Sequence, residues 1–176
     1  MWLLRLIDNN IERAIILVSY VAMAGIIFVE VIRRFVLNEQ APWSTTIPVY
    51  LFLWIVWFGC SYNVKIRAHL SFDEIRTKLP RTGQFLCLML DAVLWIVFSG
   101  IVVYYTAQQV QLARDNFAIV QGTDDVLQWW FYIATPLAFC LLIFRVLQNV
   151  YADVKAYRSG APLAVQVGIF GDEGSA

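Results

Sequence analysis

The residues of this chain that could carry out chemistry are few and scattered. The sequence has one histidine, His69, and three cysteines, Cys60, Cys87 and Cys140, each set in an apolar stretch. A single histidine excludes a haem held by two histidines on facing helices. The cysteines share no CxxC spacing, and no GxSxG, P-loop or clustered metal-ligand motif occurs. We therefore predict no catalytic residue, no cofactor and no metal site in this chain.

Acids inside or beside apolar stretches are the remaining candidates. Asp91 lies about 10 Å along the third apolar segment, where an ionised carboxylate costs several kcal/mol unless it is paired, protonated or wetted. It is either a functional residue or an acid that hydrogen-bonds a neighbouring helix. Glu30 precedes Arg33 and Arg34 by three and four residues, which brings acid and base together on a helix surface. These three residues form either a self-neutralised helix end or a contact for a partner subunit.

The elements that position these residues are membrane helices. Hydrophobic residues make up 60 % of the chain, charged residues only 15 %, and the mean hydropathy is +0.66; soluble domains are about half apolar and about a quarter charged. The net charge is zero, which argues against a nucleic-acid-binding face. Four apolar segments are long enough to cross a bilayer as helices: residues 14–32, 47–64, 84–106 and 126–147. Pro136, inside the fourth segment, should kink it.

We accordingly predict an all-α integral membrane protein with four transmembrane helices. A four-helix transmembrane domain is expected over residues 1–158, followed by a flexible cytoplasmic tail over residues 159–176. Between the second and third crossings, Ser71-Phe72-Asp73-Glu74 matches a capping box. This motif predicts a short amphipathic helix that lies on the membrane surface.

The distribution of lysine and arginine predicts the orientation of the helices. Ten of the thirteen basic residues lie in the N-terminal segment, in the loop after the second crossing and in the C-terminal segment. The other three, Arg33, Arg34 and Arg114, lie in the two loops on the opposite side. Because basic residues accumulate on the cytoplasmic side of membrane proteins, both termini are predicted to face the cytoplasm.

Several short motifs resemble those of one protein family. Arg34-Phe35-Val36-Leu37-Asn38 is followed by Trp43-Ser44, by Tyr50-Leu51-Phe52-Leu53-Trp54 with Gly59 five residues on, and by His69-Leu70-Ser71-Phe72-Asp73. With four crossings and internal termini, this pattern resembles the small membrane subunit (DctQ-like) of tripartite ATP-independent periplasmic (TRAP) transporters. The resemblance covers nearly the whole chain, up to about Arg158.

The resemblance implies a place in a sodium-dependent, three-part importer of the bacterial inner membrane. In such a system a periplasmic substrate-binding protein captures an organic acid, commonly a C4-dicarboxylate or sialic acid, and a large membrane subunit transports it. The small subunit would bind and stabilise the large one in the lipid bilayer. The implied partner- or bundle-facing residues are Trp43, Trp54, Gly59 and Asp91. The candidate helix-end anchors are Glu30, Arg33, Arg34, His69 and Asp73.

Other classes of function remain possible on the residues alone. A structural or assembly-factor membrane protein with four helices would show the same composition. An enzyme subunit that handles lipid or quinone would need polar clusters, which the apolar segments lack. A carrier that works alone usually has internal repeats and broken helices around a polar midplane site. Four apolar segments with one deep acid and no Gly/Pro-interrupted pair in corresponding positions do not fit that pattern.

Overall fold

The computed structural model describes residues 2–67, 79–161 and 163, with side chains from Asn10 onward. The predicted surface helix around Ser71 and the candidate residues His69 and Asp73 lie outside the described residues. So does the predicted tail from residue 164 on.

The described residues form three long helices and a fourth that is interrupted once. Helix α1 comprises Trp2–Ile32 and continues into a five-residue π-helical turn, Arg33–Leu37. A 3-10 turn, Pro42–Ser44, leads into α2, Ile47–Lys65. The remaining helices are α3, Arg81–Asp115; α4, Trp129–Tyr132; and α5, Ala134–Ser159.

Four stretches of the described chain are long and apolar enough to cross a membrane. They are Asn10–Leu37, Pro42–Lys65, Arg81–Asp115 and Trp129–Ser159. The prediction of a helical chain with four long apolar helices is therefore confirmed. Helix α3 is longer than its apolar segment: its 35 residues extend about 52 Å, against about 30 Å for the hydrocarbon core of a bilayer. Gln108, Gln109 and Gln111 follow the apolar segment and are good helix formers, so the helix continues to Asp115.

The interruption in the fourth apolar helix has a local cause in Pro136. Helix α4 ends at Tyr132 and α5 begins at Ala134, so the break lies three to four residues before the proline. The pyrrolidine ring has no N–H to donate to the carbonyl of residue i−4, which is Tyr132, and its ring clashes with that carbonyl. The kink expected from the sequence is thus present as a short break between α4 and α5.

The long helices pack in a row and not in a closed bundle. Within the described residues α1 packs on α2, α2 packs on α5, and α5 packs on α3. The core runs along α5, where Phe139, Leu142 and Val146 contact Val64 of α2 and are flanked by Trp95 of α3. Helices α2 and α5 therefore form the centre of the row, and α1 and α3 form its two edges.

The two connections at one end of the row pack against each other; we call this end the loop end. In the loop 116–128, Val120 is fully buried and its backbone N–H donates to the carbonyl of Val126 at 2.8 Å. Gly122 has a φ of +84°, and a Cβ placed on it would lie 2.5 Å from the carbonyl carbon of Pro42. Only glycine satisfies both the positive φ and the close approach. The contact between the two loops therefore requires glycine at position 122.

Gly122→Ala should destabilise the protein by about 2 kcal/mol or more, because the methyl group strains φ and forces the loop off Pro42. Gly100→Ala is the matched control, since a Cβ there meets nothing within 4 Å. Unfolding of both variants in detergent micelles, followed by tryptophan fluorescence, provides the measurement. Equal stability of the two variants would contradict this account of the loop contact.

Candidate functional site

A buried ion cluster joins three helices at the end of the row opposite the loop end; we call this the charged end. Glu12 of α1 and Arg145 of α5 are 0 % and 1 % exposed. Arg145 Nε donates to Glu12 Oε1 at 2.6 Å, while Lys65 Nζ, at the end of α2, lies 3.2 Å from Glu12 Oε2. Arg145 also donates through Nη1 to Gln148 Oε1 at 2.8 Å. Each oxygen of the Glu12 carboxylate therefore has its own cation, from a different helix.

Further polar contacts extend this cluster along the packing of α2 on α5. Asn149 Nδ2 donates to the carbonyl of Val64 at 2.9 Å, which also accepts the backbone N–H of Arg67 at 3.2 Å. Arg67 Nη2 donates to Asp153 Oδ1 at 2.8 Å, and Asp153 is itself buried. The chain thus leaves α2 while bonded to two successive turns of α5.

The described charged groups of this end bind other groups of the protein. Both Glu12 oxygens are occupied, and among the described residues no three His, Cys, Asp or Glu side chains lie close enough to hold a metal ion. A buried carboxylate that loses its cation is strongly destabilising because its charge is then left without solvent or a partner. The cluster therefore holds α1, α2 and α5 in one relative position.

At the loop end the structure gives the predicted anchor residues specific partners. Glu30 Oε1 accepts a hydrogen bond from the backbone N–H of Ala41 at 3.1 Å, and Arg33 lies 3.6 Å from Glu39. Arg34 is exposed on the π-helical turn. Glu30 thus connects the end of α1 to the turn that precedes α2.

Two of the predicted contact residues are tryptophans that border grooves along α1. Trp43 forms one wall of a groove of about 400 Å³ at the loop end. Trp54, which stacks on Phe58 with ring centroids 5.6 Å apart, borders a second groove of about 300 Å³ further along the helix. The first groove is lined by Val21, Ala22, Gly25, Ile26, Val29, Glu30, Arg33 and Trp43. The second is lined by Ala14, Ile15, Val18, Ser19 and Trp54.

The other two predicted contact residues lie elsewhere. A Cβ on Gly59 of α2 would meet nothing within 4 Å. Asp91 is half-buried on α3 and lines a shallow groove of about 200 Å³ with Leu94, Trp95 and Phe98. The structure therefore brings Glu30, Arg33 and Trp43 together around one groove at the end of α1, but places Asp91 at the opposite edge of the row.

Glu12 and Arg145 are the residues that reasoning from the sequence did not find. A signal exists, since Arg145 is the only charge in the predicted fourth crossing and Glu12 lies two residues before the first. The distribution of basic residues treats Arg145 simply as a cytoplasmic charge. To pair it with Glu12 one must know that α5 lies beside α2, which depends on the packing order.

Comparison with known proteins identifies the family. Residues 23–156 match the family described as tripartite ATP-independent periplasmic transporters, DctQ component. The chain belongs to this family. It is therefore a small permease subunit of a TRAP transporter, a transport component and not an enzyme. The tripartite system implies a large permease and a periplasmic binding protein as its partners.

Three relatives illustrate the range of this family. The sialic acid TRAP transporter small permease protein of Vibrio cholerae is 25 % identical over 154 residues, covering 87 % of each chain. The C4-dicarboxylate small permease of Rhodobacter capsulatus is 27 % identical over 115 residues, which are 64 % of this chain and 49 % of that protein. The isethionate TRAP transporter permease protein DctMQ of Oleidesulfovibrio alaskensis is 24 % identical over 85 % of this chain but only 24 % of its own length.

The buried cluster predicts that removal of the Glu12 carboxylate lowers stability far more than removal of an exposed carboxylate. Glu12→Ala should destabilise the protein by about 3–5 kcal/mol, because Arg145 then remains buried without its carboxylate. Glu39→Ala, which removes the exposed partner of Arg33, should change stability by less than about 1 kcal/mol. Denaturant titration of both variants in micelles compares them, and equal effects would show that the Glu12 cluster contributes no more than a surface pair.

Proposed function

We propose that this small permease subunit is the static scaffold of a sodium-coupled TRAP importer of an organic acid. It binds the large transport subunit and stabilises that subunit in the bilayer while the transport domain moves. The observation that carries the proposal is the row of four helices, held at one end by the Glu12 cluster and at the other by the loop contact at Gly122.

The contacts at the two ends of the row support a scaffold role because they fix the positions of the helices relative to one another. A support for a moving neighbour must keep its own helices in fixed positions, and two discrete polar or close-packed joints at opposite ends achieve this. The Glu12 cluster prevents α1 from sliding along α2 without separating buried opposite charges, which costs several kcal/mol. The loop contact resists separation of the two connections.

The substrate class follows from the relatives. Their names refer to sialic acid, a C4-dicarboxylate and isethionate, all of which are organic anions. We therefore propose import of an organic acid such as sialic acid or a C4-dicarboxylate. Residues that select the solute and bind sodium would lie on the large subunit and on the periplasmic binding protein.

The proposed location is the bacterial inner membrane, crossed four times, with the charged end and both termini in the cytoplasm. The distribution of ten basic residues against three supports this orientation. The predicted contact residues Trp43 and Trp54 would then face a partner along α1. Glu30 and Arg33 would secure the periplasmic end of that helix.

Reporter fusions test the orientation. A fluorescent protein that folds only in the cytoplasm should be bright when it is fused at either terminus, and alkaline phosphatase inserted after Asp124 should be active only in the periplasm. Termini on opposite faces of the membrane would overturn the four-crossing topology.

Co-purification tests the scaffold role. The tagged chain, expressed together with its genomic neighbours, should bring down a large membrane protein, and uptake of an organic acid in cells should require both. Recovery of no such protein would favour a structural or assembly role instead. Solute uptake into vesicles that contain this chain alone would equally contradict the proposal.

A further inference from the structure

The two grooves that Trp43 and Trp54 border lie on one face of α1. Their α1 residues recur at intervals of three and four, from Ala14 through Val18, Ala22 and Gly25 to Arg33, which is the period of a single helix face. The face covers about 28 Å of helix at 1.5 Å per residue, close to the thickness of the hydrocarbon core. We call these two adjoining grooves together, with their lining residues from Ala14 to Arg33 and the two tryptophans, the α1 groove.

The α1 groove differs chemically from an ordinary lipid-facing surface. Ala14, Ala22 and Gly25 keep the helix backbone accessible, and a Cβ on Gly25 would meet nothing within 4 Å. In membranes, where hydrophobicity does not drive helices together, close approach at small residues and polar contacts stabilise their association. Trp43 and Trp54 add rigid side walls, and Glu30 and Arg33 place polar groups at the loop end of the groove.

We infer that the α1 groove is the seat of one transmembrane helix of the large permease subunit, an inference that rests on the proposed function. The occupant must itself cross the membrane because the groove does. It should present a flat, apolar side to Ala22 and Gly25, and a hydrogen-bonding side chain at its end near Glu30 and Arg33.

The relative from Oleidesulfovibrio alaskensis supports this choice of occupant. The 158 residues that match this chain make up 24 % of that permease, so most of that polypeptide lies outside the matched region. In that protein, a region similar to this chain is covalently joined to a larger permease part. Such a linkage keeps the two parts at a 1:1 ratio in one membrane, where helices of one part can pack on helices of the other.

The opposite edge of the row is the competing surface. Helix α3 exposes large side chains, including Leu90, Leu94 and Phe98, and its shallow groove contains Asp91. Bulky aliphatic and aromatic residues fit a lipid boundary, because they leave little room for another backbone to approach. Helix α1 also exposes large side chains, such as Leu17 and Phe28. Its grooves nevertheless contain Ala14, Ala22 and Gly25, whereas the groove on α3 contains no alanine or glycine. The small residues in the groove lining favour α1 over α3 as the seat.

A pair of matched variants tests the inference. Ala22 and Ala24 are both exposed on α1, but they point about 200° apart around the helix, and only Ala22 lies in the groove. Ala22→Trp should lower recovery of the large subunit about tenfold, because the indole fills the space that the partner helix needs. Ala24→Trp should leave recovery unchanged, and Asp91→Leu tests the α3 edge.

A photo-crosslinking amino acid at position 22 or 24 provides a readout that does not depend on disruption. Position 22 should crosslink to the large subunit in wild-type-like complex, and position 24 should not. Crosslinks from position 22 to lipid or to a second copy of this chain would overturn the inference.

The outcomes separate the inference from the proposed function. If the wild-type chain recovers no large membrane protein, the proposed function fails and the inference fails with it. If the wild type recovers that protein and Ala22→Trp does so as well as Ala24→Trp, the proposed function stands and the α1 groove is not the seat. Loss with Asp91→Leu alone would place the seat on α3.

Discussion

The position of α1 depends on one buried carboxylate. Glu12 has no exposed surface, so its charge is tolerated only because Arg145 and Lys65 each bind one of its oxygens. Those two cations come from α5 and α2, and their side chains must converge on α1 for the cluster to form. Because α2 is the one long helix that α1 packs on within the described residues, this electrostatic contact also ties α1 to α5.

The order of the helices determines which surfaces remain available. Because α2 and α5 occupy the centre of the row, α1 and α3 each present a broad apolar side outward. Both helices expose large apolar side chains, but their grooves differ in lining: the grooves on α1 contain Ala14, Ala22 and Gly25, whereas the groove on α3 contains no alanine or glycine. The two edges of the row therefore differ in the surface that they offer to a neighbouring helix.

The two ends of the row are held by different physical interactions. At the charged end the central contact, between Glu12 and Arg145, is ionic and buried. Two arginines that the sequence pattern assigns to the cytoplasm surround it: Arg67 binds the Asp153 carboxylate, and Arg81 donates exposed hydrogen bonds to the carbonyls of Ala156 and Ala161. At the loop end the contact is steric, since the backbone at Gly122 lies against that at Pro42. The first contact is sensitive to loss of either charge, because the other is then left buried and unpaired, and the second is sensitive to any side chain at position 122.

The sequence by itself determined the helical class, the four apolar segments and the break near Pro136, because each depends on composition or on contacts within a few residues. The motifs around Arg34, Trp43 and His69 also pointed to the family. The tertiary structure alone decided that the helices form a row in the order α1, α2, α5, α3, that Glu12 pairs with Arg145, and that Trp43 and Trp54 border one face of α1. Apolar helices of similar composition pack almost equally well in several orders, so hydrophobic pattern carries no information on neighbours. That choice is made by a few long-range polar and close-packed contacts, whose partners are separated by as many as 133 residues.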